Sequence, residues 1–226
     1  MKQFLKSWTV YLFILLLSPS LFAQTNTPPT PAVKWAKELA AFEANDHTNM
    51  PPKHAILFLG SSTIRFWASL KKDFPGKEVI NRGFGGSQVF EATALADKLV
   101  FPYEPRMIVF YSGDNDLAAG RPPDQVVADY QAFFKTIHER LPNTVIANIS
   151  IKLCIARWKL RDSVESVNAR VKAMCEADPK LRFIDIDPLM LGEDGKPKPE
   201  LFKSDGLHPS QQCYEMWAKV IEPYLN

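Results

Sequence analysis

Residues 55–60 read AILFLG, and Ser61, Ser62 and Thr63 follow them. The five apolar residues form an uninterrupted run, which is typical of a strand buried on both faces of a parallel sheet. Gly60 ends the run, and the hydroxyl-bearing residues after it are favoured at the start of a helix. The stretch therefore predicts a strand that turns directly into a helix, which is the repeating unit of an α/β protein.

The same alternation continues along the chain. Further strands are predicted at residues 78–81, 107–111, 144–151 and 181–186, and helices at 33–42, 64–70, 87–100, 123–141, 164–174 and 210–221. Five strands separated by helices predict an α/β fold, a flavodoxin-like three-layer sandwich with a five-stranded parallel sheet in the order 2-1-3-4-5. Ligands bind such sheets beyond the carboxyl ends of the strands, here between the first and third.

The N-terminal residues predict export. Lys2 and Lys6 precede an apolar run over residues 8–17, and small residues follow up to Ala23. This is the pattern of a secretory signal peptide over residues 1–23, and the run is shorter than the roughly 20 residues of a membrane-spanning helix. Residues 24–31 are polar and proline-rich and predict a flexible lead-in. Residues 32–226 are then one domain of an exported, periplasmic or secreted protein with no stable membrane insertion.

The charge of the chain without residues 1–23 bears on which partners it could bind. Removing residues 1–23 takes away two of the 27 basic residues and none of the 25 acidic ones, so the charges balance. A balanced chain without a basic run gives no electrostatic basis for binding nucleic acid.

Cys154, Cys175 and Cys213 are interpreted as small hydrophobic residues, although one disulfide between two of them stays open.

Four segments carry the groups needed for acyl transfer. Ser62 follows the first strand, Gly85-Gly86 the second and Asn115 the third, while Asp205 and His208 precede the last helix. They supply a hydroxyl nucleophile, backbone and amide donors for an oxyanion, and a base with a carboxylate. Each has a simpler interpretation: a helix cap, a tight turn, a turn asparagine and a capped turn.

Other functions fit part of this pattern. Asp205 and His208 could be a metal pair, but a metal site needs further ligands, and the other histidines lie in unrelated segments. The hydroxyl-rich first loop could cradle the phosphate of a flavin or nucleotide. A third alternative is a catalytically silent carbohydrate-binding protein on the same scaffold.

The four segments, in this order, resemble the blocks of the SGNH hydrolases, the GDSL-type esterases and lipases. The resemblance runs from Gly60 to His208. It implies the SGNH hydrolase fold, and a Ser-His-Asp triad of Ser62, His208 and Asp205. It also implies an oxyanion hole formed by Ser62, Gly86 and Asn115. No cofactor or metal is implied, and the expected substrate is a small ester, such as an acylated sugar or a lipid fragment.

One residue departs from the family pattern. The usual Gly-Asp-Ser is Gly-Ser-Ser here, with Ser61 in place of the aspartate, so Ser61 remains a second candidate for the nucleophile. Residues 60–67 also resemble small bacterial members related to platelet-activating-factor acetylhydrolases. Taken together, these features predict an exported carboxylic ester hydrolase. Because the chain has no long apolar insertion that could form a lid over the site, we expect it to prefer short acyl groups.

Several polar residues receive no role at this level. Asp114 and Asp116 flank Asn115 and are interpreted as shaping its loop. Residues 152–160 follow the fourth strand and could form the rim of the site. Four further residues could contact substrate: Arg65, Arg82, Arg157 and Trp158. Because arginines on loops are usually solvated, these residues are left outside the predicted site.

Overall fold

Strand β1, Ile56–Gly60, is buried along its whole length and lies second in a five-stranded sheet. The other strands are β2 (Val79–Gly83), β3 (Met107–Tyr111), β4 (Val145–Ile149) and β5 (Leu181–Ile184). All pairings are parallel and the order is β2-β1-β3-β4-β5. The computed structural model describes residues 28–226, so the predicted signal peptide lies outside the described residues. Within them, the predicted fold class and strand order are confirmed.

Helices cover both faces of the sheet. Those of four or five residues are α1 (Pro31–Lys34), α3 (Ser62–Arg65), α4 (Leu70–Asp73), α6 (Ala96–Leu99), α7 (Asp114–Ala118) and α10 (Asp187–Met190). The longer ones are α2 (Ala36–Thr48), α5 (Val89–Ala94), α8 (Pro123–Arg140), α9 (Arg161–Ala177) and α11 (Gln211–Ile221). In this part of the chain, no helix has the length and apolar character needed to cross a membrane.

The alternation of side chains along each strand divides the core in two. On one face, residues such as Leu57 and Phe110 pack against α5, α8 and α9. On the other, residues such as Phe58 and Val109 pack against α3, α4 and α11. Because successive strand residues point to opposite faces, one apolar run supplies both layers of the core. The result is the predicted three-layer sandwich.

The three cysteines belong to this core. Cys154, Cys175 and Cys213 are all buried and unpaired. Burial raises the pKa of the Cys175 and Cys213 thiols to about 12, so neither has thiolate character near neutral pH. They serve as small apolar residues, and the structure contains no disulfide between them.

Candidate active site

Ser62 is the first residue of α3, directly after β1. The chain turns at Gly60, whose φ of +144° is unfavourable for residues with a side chain. A Cβ there would lie 1.8 Å from the Tyr111 carbonyl oxygen, so only glycine fits. Ser61 then precedes α3 as its N-cap residue. Within residues 28–226 the Ser62 backbone N–H has no hydrogen-bond partner, which leaves it available to an incoming group.

The two adjacent serines have different environments. Ser62 is partly accessible, and its Oγ lies 3.0 Å from His208 Nε2. Ser61 is completely buried, and its Oγ contacts no hydrogen-bond partner in the described part of the chain. A hydroxyl needs an adjacent base to become a good nucleophile. This geometry therefore favours Ser62 over Ser61.

His208 is oriented by Asp205 in the loop before α11. His208 Nδ1 lies 2.6 Å from Asp205 Oδ2, and Asp205 Oδ1 accepts the backbone N–H groups of Leu207 and His208 at 2.9 Å. Burial acts to raise the pKa of Asp205, but these hydrogen bonds outweigh it and hold the pKa well below its ordinary value. The ionised carboxylate accepts a hydrogen bond from Nδ1–H and keeps the imidazole proton on Nδ1, so Nε2 presents its lone pair to Ser62.

The loop that carries this pair is held on both sides. The His208 carbonyl oxygen accepts a hydrogen bond from the Lys203 N–H at 2.8 Å, which closes the loop on itself. The Phe66 ring packs edge-on against the imidazole with 4.9 Å between ring centroids. Gly206 accepts the Ala156 N–H at 3.0 Å, so the segment after β4 packs against the loop. These contacts restrict the imidazole to the position that faces Ser62.

Gly86, in the loop after β2, and Asn115, in α7 after β3, lie next to each other. A Cβ built on Gly86 would lie 3.8 Å from Asn115 Nδ2. The Gly86 residue is exposed, and among residues 28–226 its N–H has no partner. Asn115 Nδ2 donates to the Ser87 carbonyl oxygen at 3.1 Å, which uses one of its two protons. The other proton and the Gly86 N–H are free to donate to a substrate oxygen.

Asp116 binds the start of α5, which follows the loop that contains Gly86. It is fully buried, and its two carboxylate oxygens accept the Val89 N–H at the start of α5 at 3.1 and 3.2 Å. Burial is the main reason that the pKa of Asp116 is raised to about 7. Together with the bond from Asn115 to Ser87, this contact joins the β2–α5 loop to α7. The predicted loop-shaping role of Asp116 therefore has a specific partner.

A buried charge cluster behind Asn115 was not predicted from the sequence. Lys152 is fully buried, and its Nζ donates to Tyr111 Oη at 2.8 Å, Asp114 Oδ2 at 3.1 Å and Thr63 Oγ1 at 3.2 Å. Arg157 Nη1 lies 3.3 Å from the same Asp114 oxygen. The only sequence signal was a lysine and an aspartate that directly follow two neighbouring buried strands.

Two of the three arginines that were left outside the predicted site contact residues that are not part of it. Arg82 is buried and donates to Tyr103 Oη at 2.8 Å and to Asp46. Arg65 is half-exposed and pairs with Glu38 at 3.8 Å. Arg157 differs, because its Nη2 donates to Asn115 Oδ1 at 3.0 Å.

Among the described residues, no group of three His, Cys, Asp or Glu side chains is arranged to hold a metal ion.

Comparisons with known proteins show the family and the fold of the chain. The model of the GDSL-like Lipase/Acylhydrolase family matches residues 52–216, a range that includes all five predicted site residues. No curated protein matches the chain by sequence.

Several solved structures share the fold. A protein from Streptococcus pneumonia assigned as a platelet activating factor is 20% identical, with 86% of this chain and 94% of that chain covered and a TM-score of 0.76. A GDSL-like lipase from Bacteroides thetaiotaomicron is 20% identical, with 83% and 96% covered and a TM-score of 0.71. A carbohydrate esterase family 3 protein from Talaromyces cellulolyticus is 16% identical, with 75% and 95% covered and a TM-score of 0.58.

Proposed function

Because the chain belongs to the GDSL-like lipase/acylhydrolase family and is a hydrolase of that type, we propose that it is a serine esterase acting through Ser62, His208 and Asp205. The observation that carries the proposal is the continuous hydrogen-bonded row from Ser62 Oγ through the imidazole to the Asp205 carboxylate, with contacts of 3.0 and 2.6 Å. Such a row activates a hydroxyl that is otherwise a weak nucleophile.

The reaction follows from the atoms in contact. Ser62 Oγ attacks the ester carbonyl carbon while its proton moves to His208 Nε2, and Asp205 stabilises the resulting imidazolium. The carbonyl oxygen becomes negatively charged and accepts hydrogen bonds from the backbone N–H groups of Ser62 and Gly86 and from the Asn115 amide. When the C–O bond of the ester breaks, Nε2 returns the proton to the departing alcohol.

A water molecule completes the cycle. His208 removes its proton while the oxygen attacks the acyl-Ser62 carbonyl, and the same three donors stabilise the second oxyanion. Collapse of this intermediate releases the carboxylic acid and returns the proton to Ser62 Oγ. Every proton transfer in the cycle passes through His208 Nε2.

The preferred acyl group in this proposal is short. Two of the connections that carry the site are brief: one residue lies between β1 and α3, and two lie between β3 and α7. Short loops give little apolar wall, and a buried methylene contributes about 0.8 kcal/mol only where such a wall exists. The alcohol part is proposed to be a sugar or a lipid fragment, because a carbohydrate esterase and a GDSL-like lipase share the fold.

A series of p-nitrophenyl esters tests the proposal. We expect kcat/KM to be highest for the acetate and to fall through butyrate, octanoate and palmitate. A maximum at octanoate or longer would contradict the short-acyl preference and leave the serine mechanism standing. No turnover of any ester, together with binding of an oligosaccharide or a flavin, would favour one of the two binding-protein alternatives.

Export is part of the same proposal and rests on residues 1–23 of the sequence alone. Signal peptides of this pattern are removed after a small residue, here Ala23. We expect the protein recovered from its native host to begin at or near Gln24, outside the cytoplasm. N-terminal sequencing checks this, and retention of Met1 in a membrane fraction would contradict it.

A further inference from the structure

The orientation of the Asn115 amide is fixed from both ends. Its Oδ1 accepts Arg157 Nη2 at 3.0 Å, and its Nδ2 donates to the Ser87 carbonyl oxygen at 3.1 Å. A guanidinium has only donors and a carbonyl has only acceptors. Turning the amide over would place donor against donor and acceptor against acceptor, so the two contacts fix which end of the amide carries the free N–H.

Arg157 is itself held by a buried carboxylate. Its Nη1 lies 3.3 Å from Asp114 Oδ2, and Lys152 Nζ lies 3.1 Å from the same oxygen. Burial acts to raise the pKa of Asp114, but the charges of Lys152 and Arg157 outweigh it and lower the pKa. Two cations around one ionised carboxylate leave one net positive charge beside Asn115.

Stability alone does not account for this cluster. The Lys152 side chain is 0% exposed and the Asp114 side chain 6% exposed, so both charges have lost their hydration. Desolvation of a buried ion pair offsets most or all of its attraction, and apolar residues of similar size often stabilise a core as well or better. The Asp114–Lys152 pair is therefore better explained by its contact with Arg157, which it holds through the Asp114 carboxylate.

We propose that Arg157 is a positioning residue for ester hydrolysis, which orients and polarises the Asn115 amide and is held by the Asp114–Lys152 pair. This inference rests on the proposed esterase function. A charged donor at Oδ1 draws electron density from the amide and strengthens its N–H as a donor. The benefit is greatest when the substrate oxygen becomes negative, so it concerns the transition state more than substrate binding.

A double-mutant cycle tests this role with p-nitrophenyl acetate as the substrate. Arg157→Ala is expected to lower kcat about 10- to 100-fold, the size of one hydrogen bond to a charged group, with KM little changed. In an Asn115→Ala background the same change should lower kcat by less than about twofold, because Arg157 then has no amide to orient. Arg170→Ala is the matched control, since Arg170 is half-exposed on α9 and pairs with Asp124.

A second variant guards against loss of the fold. Arg157→Lys keeps a positive charge for Asp114, but one ammonium cannot replace a guanidinium that spans Asp114 and Asn115. We expect its thermal unfolding to match the wild type while kcat falls.

Three results would overturn the inference: equal losses from Arg157→Ala in both backgrounds, an effect on KM alone, or a wild-type kcat in Arg157→Lys and Arg157→Ala. An inactive wild type would instead reject the esterase function itself, so the two failures are distinguishable.

Discussion

Ser62 Oγ and His208 Nε2 lie 3.0 Å apart although 146 positions separate the two residues in the chain. Ser62 is placed by the end of β1, and His208 by a loop that is closed by its own backbone hydrogen bonds before α11. The contact therefore depends on the complete sheet and on the helices that cover it. Functional groups at the carboxyl edge of a parallel sheet are commonly brought together in this way.

Replacing the proposed nucleophile should abolish turnover. We expect Ser62→Ala to lower kcat on the order of 10⁶-fold, as in other serine hydrolases whose triad acts as a unit. The matched control is Ser61→Ala, which removes the neighbouring buried hydroxyl and should retain most of the activity. Thermal unfolding of both variants checks that the fold survives. Loss of activity in the Ser61 variant alone would reassign the nucleophile.

Removing the amide donor should slow the chemical step. Asn115→Ala is expected to lower kcat by about 10²–10³, because the amide stabilises an oxyanion that exists only in the transition state and intermediates. Asn143→Ala, in the exposed loop before β4, is a control that removes the same side chain elsewhere. A change confined to KM would show that Asn115 binds the ground-state substrate instead.

Asp205→Asn should show how much of the activity depends on the orientation of the His208 imidazole, because the variant keeps the imidazole itself. The carboxylate accepts a hydrogen bond from Nδ1–H, whereas an amide can donate to Nδ1 and favour the wrong tautomer. We expect kcat to fall on the order of 10⁴-fold, the loss seen when a triad aspartate is replaced in this way. Asp194→Asn changes an exposed turn aspartate and should be neutral. Full activity in Asp205→Asn would remove Asp205 from the triad.

Stability should depend on pH through Asp116. Burial raises its pKa to about 7 in the folded protein, against an ordinary value near 3.9 in the unfolded chain. The folded state therefore holds this proton more tightly. The stabilisation is complete below about pH 4, and it is lost as the pH rises through about 7.

Asp116→Asn should flatten this dependence by at most about 1.4 kcal/mol per pH unit, the value for one proton. Part of the slope should remain, because burial also raises the pKa of Asp187 to about 7. Urea unfolding midpoints between pH 4.5 and 7.5 measure the effect. An unchanged slope in the Asn variant would contradict the assignment.

The fold was largely predictable because strands that are buried on both faces appear in the sequence as uninterrupted apolar runs. The run at residues 107–111 is β3 with the same bounds, since a doubly covered strand must be apolar throughout. The predicted helix over residues 64–70 was wrong in detail, because the chain forms two short helices, α3 and α4, with Trp67 between them. Trp67 turns into the core, stacks on Tyr214 and donates to Asp73 at 2.6 Å. Such long-range packing has no local signal.

The structure brings Ser62, His208 and Asp205 together and places Gly86 beside Asn115, and the catalytic roles of these residues stay predictions. Their proximity could be inferred because each follows a strand or precedes a helix at one edge of the sheet. The contact between Arg157 and Asn115 could not, because a loop arginine is usually solvated and only the folded chain places it against an amide. The same holds for Lys152, whose burial is compensated by a carboxylate 38 positions away.

The central claim is that His208 activates Ser62 as the nucleophile, and covalent labelling tests it most directly. The purified protein would be treated with an organophosphonate ester, digested, and its peptides fragmented in a mass spectrometer to locate the adduct. We predict a single adduct on Ser62, formed rapidly by the wild type and only slowly by His208→Ala. An adduct on Ser61, or hydrolysis of esters by protein that is labelled on neither serine, would contradict the account.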